Sequence, residues 1–233
     1  LTLHKRLDIV KKLILEDYPN AAFLHIGPVG SGKTIFLKHL LYERLKDGFT
    51  CVYVCVKHSP KMFMWLMKKR NTDVEPYLKN GHLILVDYYS LKTGTPPTYS
   101  EYESKILKLK NLDPVEFSVM LNELRAKPIE FIYLDSLSDL FITYGYKNAM
   151  KFLNITVPRI RDTCVGAFAL DQGIINKRLE NYLRSIFDGI VEYKIVDGPN
   201  GIERYIRIAH FDLAEIDTRW HKLIIGPYNI EIE

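Results

Sequence analysis

Eight consecutive residues, Gly27-Pro28-Val29-Gly30-Ser31-Gly32-Lys33-Thr34, match the spacing G-x-x-x-x-G-K-[ST]. A polyphosphate needs several backbone N–H groups aimed at one point, and glycines permit the tight turns and close approach that this requires. The lysine after the last glycine supplies a charge for the β- and γ-phosphates, and the hydroxyl of Thr34 is a ligand for Mg²⁺. The nucleotide contacts predicted from this motif run from Gly27 through Thr34 and end at Ile35. Chance places such a pattern in a chain of this length about once in a hundred, given ordinary Gly, Lys, Ser and Thr usage. An accidental glycine-rich turn is therefore the weaker account.

The elements around the motif suit that chemistry. Residues 21–26 are an apolar run that predicts a buried strand, and 35–45 carry Phe36, Leu37, Leu40, Leu41 and Leu45 at helical spacing. The cradle thus lies between a strand and a helix whose N-terminal dipole end faces an anion. Residues 51–56, 82–87, 131–134 and 165–170 predict further buried strands. Helices are expected over 3–16, from the Met- and Lys-rich stretch through Arg70, over about 101–126 as a pair, and over 147–161; residues 91–100 are expected to form a mobile loop. Apolar strands alternating with helices predict an α/β fold with a mostly parallel sheet covered on both faces. Near the end, 190–196 and 202–208 flank Asp197-Gly198-Pro199-Asn200-Gly201, which predicts a hairpin. Residues 224–226 and 230–233 suggest another short pair, so antiparallel strands complete one domain spanning 1–233.

Phe131-Ile132-Tyr133-Leu134-Asp135 puts a carboxylate at the end of a buried strand, about a hundred residues after the cradle. There Asp135 is expected to share Mg²⁺ with Thr34. Asp87 also ends a predicted strand, and a loop cap is the simpler expectation for it.

These features resemble the RecA-type ATPases, and within them the KaiC-like group that includes the archaeal RadA paralogs. The resemblance rests on residues 27–34, Val52-Tyr53-Val54, Ile84-Leu85-Val86-Asp87, 131–136, the strand ending at Gln172, and Glu203-Arg204-Tyr205-Ile206. It implies a RecA-like core sheet, ATP and Mg²⁺ as ligands, and a homo-oligomeric ring or filament with nucleotide near subunit interfaces. By the same resemblance Gln172 corresponds to a polar sensor, which implies a catalytic role beside Lys33. Asp171 next to it is equally well a strand-end residue without a role.

Three departures from the family pattern carry consequences. Val56-Lys57-His58 stands where such ATPases place a glutamate that polarises the attacking water. A charged lysine is no general base at neutral pH, and His58 is a weak one. His210-Phe211-Asp212 replaces a Lys-x-Arg pair on a late strand, and no glycine-rich segment precedes the first strand. Losing a charge that stabilises phosphoryl transfer costs roughly 10³–10⁵ in rate, while ground-state affinity can survive. The expectation is ATP binding with impaired turnover, in a nucleotide-dependent regulatory or assembly subunit. The alternative is an active DNA-binding ATPase of the RadA-paralog type. A small-molecule P-loop kinase fits less well, because no arginine-rich lid segment is evident.

Composition adds exclusions. Lys and Arg number 32 against 28 Asp and Glu, and a net charge of +4 is too mild to point to nucleic acid. Single-stranded DNA has weak support. Lys57, His58, Lys61, Lys68, Lys69 and Arg70 surround Phe63 and Trp65, yet solvated lysines over inward aromatics explain such a helix better than base stacking. Lys105 and Lys108 suggest one wet helix face with Ile106 and Leu109 inward, and Lys177, Arg178 and Arg184 lie where RecA-type proteins can touch DNA. The odd set Cys51, Cys55 and Cys164 suggests reduced core thiols in a cytoplasmic protein. No apolar stretch approaches the ~20 residues of a membrane span. No signal peptide is evident, and the initial Leu leaves room for missing N-terminal sequence.

Overall fold

A computed structural model describes residues 20–96, 106–108, 129–199, 201–213 and 215–233. In chain order the described elements are β1 (Ala21–Gly27), α1 (Lys33–Lys46), β2 (Cys51–Cys55), α2 (Pro60–Lys69), α3 (Glu75–Asn80), β3 (Leu83–Asp87), α4 (Tyr89–Thr93) and β4 (Ile106–Lys108). They continue with β5 (Phe131–Asp135), α5 (Leu137–Arg161), β6 (Val165–Asp171), α6 (Lys177–Ile186), β7 (Gly189–Gly198), β8 (Gly201–Phe211), β9 (His221–Ile225) and β10 (Ile230–Ile232). The strands form one sheet in the order β10-β9-β8-β7-β1-β6-β5-β2-β3-β4. From β7 to β4 every neighbouring pair is parallel, and β8, β9 and β10 add on antiparallel.

Strand β1 is buried at every position, as are β2 and β5, which is what apolar runs without alternation require when helices cover both faces. Side chains still alternate. Phe23, Tyr53 and Tyr133 pack with Phe36, Leu40 and Phe63 on the face covered by α1 and α2. Leu24, Val54 and Ile132 pack with Leu140, Phe152 and Leu183 on the face of α5 and α6. Helix α2 starts where Ser59 accepts a hydrogen bond from Met62 N at 3.3 Å and Pro60 takes the first turn.

Register then fixes which strand ends meet. Gly27 lies level with Asp171 across β1 and β6, and Cys55 with Asp135 across β2 and β5. The carboxyl ends of four adjacent strands therefore present residues 27–34, Asp171, Asp135 and the Lys57-His58 pair along one edge. Ligands of open α/β sheets bind at such edges.

Several expectations need correction. Residues 106–108 form β4, not a helix: Ile106, Leu107 and Lys108 pair with Leu85, Val86 and Asp87. The free edge of β3 offers unpaired backbone groups, and satisfying them outweighs a local helical pattern. Residues 91–93 belong to the short helix α4 where a loop was expected, while 97–100 lie outside the described residues. Helix α5 begins ten residues earlier than expected, at Leu137 where 147 was predicted, with non-helical backbone at Gly145 (φ 73°, ψ 166°). The helix expected over 3–16, and the pair over 101–126 apart from 106–108, also fall outside the described residues. All three cysteines are free and buried. No helix among the described residues is long and apolar enough to cross a membrane.

His25, in the middle of β1, is fully buried, and its Nδ1 lies 2.8 Å from the Tyr193 hydroxyl. Its Nε2 and the Tyr133 hydroxyl have no hydrogen-bond partner among the described residues, and both residues border a cavity of about 10 Å³, close to the space one water needs. Burial, helped by the charge of Lys33, pushes its pKa down to about 3. An unfolded histidine takes up its proton near pH 6.5, whereas the folded one stays neutral down to about 3. Between those values the unfolded chain binds more protons, so stability falls as pH falls, by up to ~1.4 kcal/mol per unit. In urea denaturation between pH 7 and 4, His25→Phe is expected to show a shallower pH slope than the parent chain. Identical slopes would contradict this account.

Candidate nucleotide site

The loop between β1 and α1 turns on two glycines with left-handed backbone, Gly30 (φ 83°) and Gly32 (φ 94°). The turn folds its carbonyls back onto the lysine that follows. Lys33 Nζ donates to Gly27 O and Pro28 O, each at 2.8 Å, and to Ser31 Oγ at 3.3 Å. It also forms an ion pair with Asp171 Oδ1 at 3.0 Å. Burial lowers the Lys33 pKa, and Asp171 opposes that shift. Gly27 has its own steric reason, since a Cβ there would lie 2.6 Å from Tyr193 O on β7.

Beside the loop, Thr34 Oγ1 donates to Asp135 Oδ1 at 3.1 Å, and the Tyr53 hydroxyl donates to Asp135 Oδ2 at 3.3 Å. Asp135 is buried, and desolvation raises its pKa against the pull of Lys38 and these hydroxyls. A buried carboxylate beside a threonine hydroxyl is a hard oxygen pair, and it fits Mg²⁺. Bound there, the ion would neutralise charge on the β- and γ-phosphate oxygens.

The loop opens on a cleft of about 340 Å³. Val29, Gly30 and Gly32 through Ile35 make one wall, Lys57 and His58 stand across from them, and Asp171 lines it too. Arg204 and Ile225 close it from the antiparallel strands. Arg204 Nε donates to Gly30 O at 2.9 Å, and Ile225 and Leu223 pack where a side chain at Gly32 would go. Burial lowers the His58 pKa, as do the charges of Lys38 and Lys57.

The structure thus brings together the loop, Lys33, Thr34, Ile35, Asp135, Lys57 and His58, all singled out in the sequence. Gln172 is different. Its backbone N–H donates to Gly27 O at 2.9 Å, but the residue is exposed and does not line the cleft. The neighbouring Asp171, given an even chance of no role, holds the lysine instead. Arg204, Ile225 and Tyr53 were not assigned to the site. Elsewhere, Asp87 caps a turn by accepting from Ser90 N at 3.0 Å. Phe63 packs inward on Tyr53 with ring centroids 4.2 Å apart, while Trp65 faces solvent under Lys69. His210 and Asp212, in place of a Lys-x-Arg pair, are hydrogen-bonded to each other at 2.7 Å.

The family model for the KaiC ATPase matches residues 12–233. The chain belongs to this family. It is a RecA-like, ATP-binding protein of the P-loop type. A UPF0273 protein from Pyrococcus horikoshii is 31% identical over 124 residues, 53% of this chain and 48% of the relative. One from Thermotoga maritima is 28% identical over 53% of this chain and 50% of the relative, so these matches span about half of each relative's length. One from Pyrobaculum aerophilum is 25% identical over 89% of this chain and 78% of its own. A KaiC-like protein from Pyrococcus horikoshii superposes with a TM-score of 0.71 at 16% identity, covering 96% of this chain and 94% of that one. The flagellar accessory protein FlaH from Methanocaldococcus jannaschii does so with a TM-score of 0.70 at 17% identity, over the same shares. Both show the RecA-type fold.

The Lys33–Asp171 pair yields a stability test. Asp171→Asn removes the strongest upward influence on the Lys33 pKa and leaves a mostly buried ammonium with neutral partners. The expected cost in chemical denaturation at pH 7 is about 1–3 kcal/mol. No measurable loss would mean that the two carbonyls alone hold the lysine.

Proposed function

We propose that this member of the KaiC ATPase family binds MgATP and hydrolyses it weakly or not at all, acting as a nucleotide-dependent regulatory or assembly subunit. In this reading the backbone of residues 27–32 and Lys33 hold the phosphates, Thr34 and Asp135 hold the ion, and Ile35 completes the nucleotide contacts. The observation that carries it is the lack of an uncommitted carboxylate among the described residues lining the cleft. Asp171 is paired with Lys33, and Asp135 beneath the cleft accepts from Thr34 and Tyr53. The segment across from the loop offers Lys57 and His58. An attacking water needs a proton acceptor positioned near it, and the imidazole of His58 is the available base. Its lowered pKa keeps it neutral at pH 7 but weakens it as an acceptor.

Gln172 keeps only a supporting place in this scheme, through its backbone hydrogen bond to the loop. A DNA-dependent ATPase draws less support. On α6, Lys177 and Arg184 both pair with Glu180, and Arg184 also reaches Glu192 at 2.6 Å, so their charges are partly spent within the protein.

Calorimetry is expected to detect MgATP binding that Lys33→Ala abolishes, with phosphate release below about 1 s⁻¹. Single-stranded DNA at about 50 mM salt should neither bind nor stimulate release. Turnover at or above that rate, lost in Lys33→Ala, would refute weak hydrolysis; stimulation by DNA would favour the recombination-type reading. Residual hydrolysis should rise with pH through a pKa below 6.5, level off above it, and lose that dependence in His58→Gln. A rate that keeps climbing above pH 8 would rule out His58 as the base.

A further inference from the structure

Among the described residues, four formally charged side chains line the cleft: Lys33, Lys57 and Arg204 against Asp171. Lys33 and Asp171 are 3.0 Å apart and largely cancel. Arg204 is committed through Nε to Gly30 O on the outer part of the loop. Lys57 differs from both, because it is exposed and makes no hydrogen bond or ion pair with any described residue. It follows β2 by two residues, and β2 ends with Cys55 level with Asp135. Lys57 also borders a smaller depression shared with Asp135, Tyr53 and Lys38. Its free ammonium therefore stands at the Asp135 end of the cleft.

We propose that Lys57 is a counter-charge for the terminal phosphate of ATP and makes the site select ATP over ADP. This rests on the MgATP-binding reading above and adds the nucleotide state that the site recognises. Thr34 and Asp135 would hold the ion, and Lys33 would meet the phosphates from the β1–β6 side. A third phosphate then extends toward the ends of β5 and β2, where Lys57 waits. MgATP carries about one more negative charge there than MgADP, and among the described residues Lys57 has no anion to release before meeting it. The charge of Lys57 is also felt at Lys33, Lys38, His58 and Asp135, as its central placement requires. A glutamate at this point would polarise water and repel the γ-phosphate; a lysine reverses the second effect and abolishes the first. The site becomes a holder of the triphosphate state, a property suited to reporting nucleotide state to a partner.

The test is calorimetry of the full chain with MgADP and with a magnesium complex of a non-hydrolysable ATP analogue. The parent chain should bind the triphosphate more tightly than the diphosphate. Lys57→Ala should weaken the triphosphate by roughly 10- to 100-fold, the span expected for one charge-assisted contact, and change the diphosphate less than about threefold. Lys57→Arg should keep most of the preference. Equal losses for both nucleotides, or an unchanged ratio in Lys57→Ala, would overturn the assignment while leaving MgATP binding intact. A parent chain that binds neither nucleotide would remove the functional reading itself. Because Lys57 is exposed, thermal melting of the variants is expected to match the parent, and a collapse in Tm would point to a structural role instead.

Discussion

A nearly buried ammonium, that of Lys33, sets the terms for the rest of the structure. Taking it out of water is costly, and its lowered pKa records that cost. Two backbone carbonyls and Asp171 offset it. Each partner arrives by a different route. The carbonyls point inward because the loop turns through left-handed glycines, whereas Asp171 is present because β1 and β6 pair with Gly27 level with it. That register holds because each strand buries alternate residues in two separate apolar layers, so a one-residue slip would exchange the faces. In the proposed reading an incoming phosphate would meet a cation already desolvated and held in place, which keeps reorganisation small.

The parts of the site legible in the sequence are those whose chemistry is local. A phosphate cradle needs its glycines, lysine and hydroxyl within eight residues, so the spacing itself is the signal. Asp135 could be found because a buried strand ending in an acid is visible as a run of apolar residues. Asp171 ends an equally visible strand, but only its register with Gly27 shows that it meets Lys33 and that Gln172 beside it points to solvent. Arg204 lies 174 residues from the carbonyl it binds, and no local pattern carries that information. The same holds for β4, whose three residues are a strand because β3 has a free edge. At β4, long-range backbone pairing outweighed local periodicity.

The antiparallel strands are more than an extension of the sheet. Through Arg204, Ile225 and Leu223 they press on the phosphate loop at Gly30 and Gly32. A second tie runs from Arg70, just past α2, to Gly226 O at 2.8 Å. Helix α2 begins immediately after Lys57, His58 and Ser59. The C-terminal strands thus contact both walls of the cleft, one directly and one through α2. Glu192 stiffens their base by accepting from Arg207 on β8 and Arg184 on α6, which hold its pKa below the usual carboxylate range.

The β2 end is where this architecture leaves most freedom. Position 57 lies two residues past β2, is exposed, and borders the depression that holds the carboxylate that would share the ion, so a change of charge there is tolerated more easily than one in the core. What changes is which state along the reaction is favoured. An acid there favours the arrangement in which water loses a proton, at the expense of the bound triphosphate. In the proposed reading a lysine there favours the triphosphate before any bond breaks, and ground-state stabilisation of that kind raises the barrier that follows. The neighbouring imidazole is a weak substitute, because burial and then the cations around it hold its pKa down. In the same reading, retention of nucleotide and loss of turnover would both follow from one charge placed at the end of one strand.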